Sequence, residues 1–249
     1  MLEPNHSLKL RKTLDEKARM NFVSGIRAHV LNDMASGMRA VWDGEVEPRF
    51  RRKRRRGAKT GPEVHDAIKS NEYFKFYSSL RVTAQDLVWQ SVFPPLDRER
   101  DQLKAEALAL RKNKNIGSLT LDPKLEVPRY VSAIDVHLMA GNYDGEYDTD
   151  DVAAGVVYDK GINLYMGGAL GAENDLTGNT LLAYLREKHP DFKPKRILDV
   201  GCAIGNSTLV WARAFPKAKV HGIDVGAPVL RYAHARAAAL GVDVDFSQQ

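Results

Sequence analysis

The sequence predicts an α/β fold: the first half (β-α-β-α-β) of a doubly wound parallel sheet, preceded by a mostly α-helical N-terminal region. Three observations carry the prediction. Apolar residues recur at helical spacing through most of the first half of the 249-residue chain. From Arg196 a short apolar strand, RILDV, enters a glycine turn, DVGCAIG, and then a helix-like segment at residues 207–214. Two further strand-like runs, 220–224 and 242–246, flank a helix-forming stretch at 228–240 that Gly241 closes.

Taken in order, Leu10, Leu14, Ala18, Phe22, Ile26, Val30 and Met34 recur mostly four apart, the stripe of an amphipathic helix over residues 7–41. The next segment, DGEVEPRFRRKRRRGAKTGP, has Pro and Gly near its edges and a block of charge inside, so residues 44–62 are expected to form an exposed basic loop. A second helix begins near Glu63 and runs through Ile68, Tyr73, Phe74 and Tyr77. A third starts near Thr83, where Asp86 completes a capping arrangement, and stops at Pro94 and Pro95. A fourth covers residues 97–112, closing a helical region at 1–127. Residues 128–190 connect it to the sheet. Within them YVSAIDVHLM reads as a strand or extended segment, residues 151–165 as a helix, GGALGAEND as its break and residues 180–188 as another helix.

Composition narrows the function classes. No stretch approaches the roughly 20 apolar residues that cross a bilayer, and the N-terminus lacks a secretion signal. The single cysteine, Cys202, has no disulfide or zinc partner in sequence, so the expectation is a cytoplasmic protein without membrane or metal dependence. The net charge of +5 is local: eight cations lie between Arg49 and Lys59, leaving the remainder net acidic at −3.

The segment from Lys195 carries the chemistry. Gly201 and Gly205 let the backbone turn tightly and approach a ligand, and the helix after them directs free amides into that space. Asp199 ends the first strand, where it can receive hydrogen bonds from a cationic amino group. Asp224 ends the second strand, 25 residues later, where an acid meets ribose hydroxyls in doubly wound folds. A dinucleotide fingerprint would place glycine at position 203; here it is Ala203, and an acid precedes the first glycine.

ILDVGCAIGNST, VHGIDVG and RYAHARAAALG resemble motif I and the following ribose-binding segment of class I (Rossmann-like) S-adenosylmethionine-dependent methyltransferases, near the quinone-biosynthesis type. The resemblance covers about residues 196–249. It implies S-adenosylmethionine as cofactor, with the turn of Gly201, Cys202, Ala203, Gly205 and Asn206 bordering its methionine part and Asp199 holding the amino group. Asp224 would accept both ribose hydroxyls, and Val225 would lie against the adenine. Tyr158 and Asp159 match a YD pair that such enzymes place against the cofactor. The family sheet has seven strands, and this chain ends just past the third. The expectation is therefore a truncated domain, or one completed by a second polypeptide or self-association, whose first strand exposes an unpaired apolar edge.

The implied activity is methyl transfer to a small-molecule acceptor, with the helical N-terminal region as acceptor-binding lid. Two alternatives are a non-catalytic truncated module and a nucleic-acid methyltransferase or binder that uses the Arg49 to Lys59 run. Asp135, His137 and Tyr143 flank a loop expected to form a cleft; His137 and Tyr143 are candidate catalytic residues, the histidine as a general base for a phenol or enol acceptor. Cys202 reads as a small packed side chain rather than a nucleophile.

Overall fold

The computed structural model of the chain describes residues 6–113, 116–133 and 137–249. Its helices and strands run α1 (Leu14–Ala28), a π-helical stretch (His29–Met34), α2 (Ala35–Val41), a second π-helical stretch (Trp42–Val46), α3 (Glu47–Arg54), α4 (Gly61–Ile68), α5 (Glu72–Arg111), β1 (Leu119–Thr120), α6 (Arg129–Ser132), α7 (Ala153–Tyr165), α8 (Leu176–Lys188), β2 (Arg196–Val200), α9 (Asn206–Ala214), β3 (Lys219–Asp224), α10 (Ala227–Ala239) and β4 (Asp245–Gln248). Contacts divide the chain into two units, one of Met1–Lys17 with Trp89–Gln249 and one of Ala18–Val88, the divisions falling inside α1 and α5.

In the unit of Ala18–Val88 the sequence expectation of a basic loop is corrected. Residues 42–54 are helical, and only from Arg55, at φ 54°, does the chain leave the helix. Arg and Lys are good helix formers, and i,i+4 pairs reduce the self-repulsion of the run. Within the run Arg51 reaches Glu47 at 2.7 Å, and ahead of it, in α2, Arg39 reaches Asp43 at 2.6 Å. Thr60 caps α4 by accepting the Glu63 N–H. At the start of α5, Asn71 accepts the Tyr73 and Phe74 N–H groups, so the cap lies at Asn71 rather than at Thr83.

A second correction concerns α5, which continues for 40 residues through Pro94 and Pro95. Each proline removes an intrahelical bond, a cost of roughly 3 kcal/mol in an unsupported helix. Burial offsets it: Trp89, Val92, Leu96, Leu103 and Ala107 of the other unit are all at most 2% exposed.

In the unit that contains Trp89–Gln249, four strands form one parallel sheet in the order β1-β4-β3-β2. The β-α-β-α-β expectation holds, with the third, second and first strands of the motif side by side. The two-residue β1 has no periodicity to announce it. It docks because Asp245 Oδ1 accepts both the N–H and the hydroxyl of Ser118, at 2.9 and 2.7 Å, while the Ser118 carbonyl accepts the Phe246 N–H at 2.7 Å. One face of the sheet is covered by a core of Cys202, Leu209, Val220, Leu230, Ala233, Ala237, Val242, Val244 and Phe246. Among the described residues β2 pairs only with β3, so its other edge is open, and Leu198 and Val200, on one face of that edge strand, are 60% and 71% exposed.

The stretch after Pro128 is a single helical turn, α6, rather than a strand at residues 129–132; Asp135 lies outside the described residues. Asp151 stands at the head of α7, its carboxylate accepting the Ala153 and Tyr147 N–H groups at 2.9 Å each. The break after α7 follows from left-handed backbone at Gly167, Gly168, Gly171 and Asn174. No described helix is long and apolar enough to cross a membrane.

Candidate functional site

The carboxyl ends of β2 and β3 open into a cleft of about 410 Å³, where ligands bind in open α/β sheets. Its floor is the turn between β2 and α9. Gly201, Ala203 and Gly205 all have left-handed backbone, at φ 72°, 46° and 76°. The Gly201 and Cys202 N–H groups bond to the Ile223 carbonyl, locking this turn to β3. At Gly201 a side chain would meet nothing within 4 Å, so the backbone there borders open space.

Asp224 is the organising side chain. Its Oδ2 accepts the Ala203 N–H and its Oδ1 the Gly226 N–H, both at 2.9 Å, so the carboxylate is held between the turn after β2 and the turn after β3. Each oxygen retains lone-pair capacity towards the cleft. Gly226 in turn lets another segment approach: a Cβ there would stand 2.5 Å from the Tyr143 carbonyl oxygen. That close passage brings Tyr143 to the cleft wall, where its ring meets Tyr158 of α7 at 5.5 Å between centroids.

Of the residues expected from sequence, Tyr143, Tyr158, Gly201, Ala203, Asp224 and Val225 line the cleft together. Asp199, at the end of β2, is not among the lining residues; its Oδ2 accepts the Thr208 hydroxyl of α9 at 2.6 Å. The Cys202 side chain is buried in the core, where burial and then the charges of Asp224 and Asp199 push its thiol well up, so it is no nucleophile. Asn206 opens α9, and its buried Oδ1 has no hydrogen-bond partner among the described residues. His137 does not line the cleft; its ring lies edge-on to Tyr165 and its carbonyl accepts the Trp89 indole N–H. Sequence reasoning missed Tyr130 of α6 and Gln249, which also line the cleft. Gln249 is joined to β3 by its N–H to the Asp224 carbonyl, at 3.0 Å.

The YD pair divides. Successive helical residues point about 100° apart, so Tyr158 faces the cleft while Asp159 enters the core at 2% exposure. There Asp159 accepts hydrogen bonds from Tyr232 of α10 (2.8 Å), Lys160 (2.7 Å) and Asn174 (3.0 Å), with His6 Nε2 at 3.4 Å. Burial alone would raise this carboxyl, but Lys160, His6 and Arg236 outweigh it and hold it well below the usual carboxylate range. Burial, then the Asp159 charge, raises the Tyr232 phenol well above 10. The network pins α7 to α10 and thereby fixes where Tyr158 stands.

Residues 197–249 match the methyltransferase domain family. Over 47 residues the chain is 47% identical to a trans-aconitate 2-methyltransferase of Afipia carboxidovorans, covering 19% of this chain and 18% of that protein. Over 43 residues it is 46% identical to enzymes of the same name from Rhodopseudomonas palustris strains BisB18 and BisA53, covering 17% of each chain. The matched part is thus less than a fifth of the length of these curated relatives. None of these three names supports the quinone-biosynthesis subtype. Methyltransferases of this family use S-adenosylmethionine. The glycine turn, the acid that ends β3 and this match agree: residues 197–249 match a methyltransferase domain, and their strand order is that of a Rossmann-like, class I S-adenosylmethionine-dependent methyltransferase sheet.

Proposed function

We propose that the cleft binds S-adenosylmethionine and that the protein is a methyltransferase acting on a small-molecule acceptor. The observation that carries this is Asp224, whose two oxygens are fixed by the Ala203 and Gly226 amides beside an open glycine turn. A carboxylate so held accepts two vicinal hydroxyls without reorganising, and the cleft volume falls in the range of small-ligand sites. Bound there, the cofactor supplies a methyl group activated by its sulfonium.

The protein's own part is positioning. Val225 offers apolar surface to an adenine, and the turn from Gly201 leaves room for the amino-acid moiety. Asp199 spends Oδ2 on Thr208 and has Oδ1 for an ammonium group, directly or through water. Tyr130, Tyr143 and Tyr158 wall the other side. Such a wall keeps water out and orients an acceptor for in-line attack, which is most of what methyl transfer requires. Of the two catalytic candidates, Tyr143 lines the cleft and His137 does not, which supports Tyr143 as the one nearer an acceptor. An anionic acceptor such as trans-aconitate calls for cations, and none stands among the described lining residues. The aromatic wall favours an aromatic or apolar acceptor.

Calorimetry with S-adenosylmethionine tests the reading. Replacing Asp224 by Ala is expected to weaken binding at least tenfold, since hydrogen bonds to a charged group contribute roughly 1.5–3 kcal/mol each. Because Asp224 also supports two turns, the ligand is varied as well: adenosine should bind measurably better than 2′,3′-dideoxyadenosine to the unaltered protein. Equal affinities in both comparisons would remove the ribose assignment.

A further inference from the structure

We propose that the groove between α3 and α4 binds single-stranded nucleic acid, with its phosphates on Arg49, Lys53 and Arg54 and a base against Phe50. The groove lies wholly within the unit of Ala18–Val88, has a volume of about 390 Å³, and is independent of the cofactor cleft. One wall is α3 with the last residue of the π-helical stretch before it, and the other is α4 with the turn that follows it. Val46, Arg49, Phe50, Lys53 and Arg54 follow i, i+3, i+4, i+7, i+8 on one side, and Glu63, Asp66, Ala67, Ser70 and Asn71 repeat that pattern on the other.

The charge within the groove is one-sided in effect. Both acids are already paired: Glu63 binds Arg56 at 2.5 Å, a bond that holds its carboxyl at about 2, and Asp66 binds Lys69 at 2.7 Å. Arg49, Lys53 and Arg54 have no ion-pair partner among the described residues, and Arg52 and Arg55 continue the unpaired cations beyond the rim. An anion entering the groove meets cations that need not surrender a partner. The half-buried Phe50 ring among them supplies the face on which any base stacks. Membrane lipid fits less well, because α3 has no apolar face to insert, Phe50 being its only large apolar residue. A concave site of this volume suits a nucleotide of a flexible strand rather than a flat headgroup layer.

The test uses the full chain with fluorescein-labelled dodecauridine and dodecathymidine, followed by anisotropy from 50 to 300 mM NaCl. Both strands are expected to bind, with a slope of log affinity against log salt near about −2, as three neutralised phosphates on a single strand give. The variant Arg49→Gln/Lys53→Gln/Arg54→Gln should weaken binding at least tenfold and bring the slope towards zero. Phe50→Ala should weaken it about tenfold with the slope unchanged, and far-UV circular dichroism confirms that both variants fold. Absence of binding at 50 mM salt, a triple variant that binds like the parent, or binding to phosphatidylserine vesicles but to neither strand would overturn the proposal.

Discussion

Replacing Asp159 by Asn keeps the shape of a buried side chain and removes its charge. The carboxylate accepts from Tyr232, Lys160 and Asn174, and all four groups are largely or wholly removed from water. An Asn oxygen can still take the Tyr232 hydroxyl or the Asn174 amide, so the neutral bonds are partly kept. The Lys160 ammonium is the group left without an anion, and removing one partner of a buried pair costs about 3–5 kcal/mol. A ceiling follows from titration: Lys160 can shed its proton, and neutralising a lysine of ordinary pKa at pH 7 costs roughly 4–5 kcal/mol. The expected loss is therefore about 3–5 kcal/mol, a large share of typical domain stability. Urea unfolding with hydrogen exchange of α7 and α10 amides reads it. Adding Lys160→Met to Asp159→Asn should restore all but about 1–2 kcal/mol, because the unpaired ammonium is gone and the buried Arg236 guanidinium, though it loses the carboxylate's charge, keeps its bonds to the Ile204 and Glu173 carbonyls. A single-variant loss under 1 kcal/mol, or no recovery in the double variant, would refute the network as the pin between α7 and α10.

Other outcomes follow from single features. Ala203 has left-handed backbone at φ 46°, so Ala203→Gly should stabilise the turn by about 0.5–1 kcal/mol, the strain relieved less the added freedom of the unfolded chain; thermal unfolding checks the sign, and a loss would contradict it. Burial lowers the His6 and His234 imidazoles below 6.5. The folded state thus binds fewer protons than the unfolded one below that pH, and stability should fall as pH drops through 6.5 at up to about 1.4 kcal/mol per pH unit per histidine, while remaining flat above. A stability curve level from pH 7 to 5 would count against this. Leu198→Lys with Val200→Thr, on the open edge, should change stability by less than about 0.5 kcal/mol and reduce self-association in sedimentation.

Half of the fold was legible because its signals are local. Apolar runs of four to six residues between a glycine turn and a helix define β2, α9, β3, α10 and β4 to within a few residues. Where long-range contacts decide, the sequence misled. Pro94 and Pro95 are breakers in isolation, yet burial of Trp89, Val92 and Leu96 carries α5 through them. The arginine run looks solvated and loose, yet the i,i+4 pair of Arg51 with Glu47 and its helix-forming side chains suit a helix. β1 exists because carboxylates 126 or 127 residues away receive the Gly117 and Ser118 amides that lead into it. In the cleft, Asp224 and the turn glycines were readable from spacing, whereas Tyr130 and Gln249 arrive through folding alone. The YD pair was read as facing one way, but adjacent helical residues cannot do so, and its two members serve different surfaces.

Amide chemical shifts of the isotopically labelled protein during titration with S-adenosylmethionine address the main claim most directly. Gly201, Ala203, Val225 and Tyr143 should shift together and saturate with one affinity, while α3 and α4 stay unmoved. Shifts confined to other regions, or none at millimolar ligand, would contradict it.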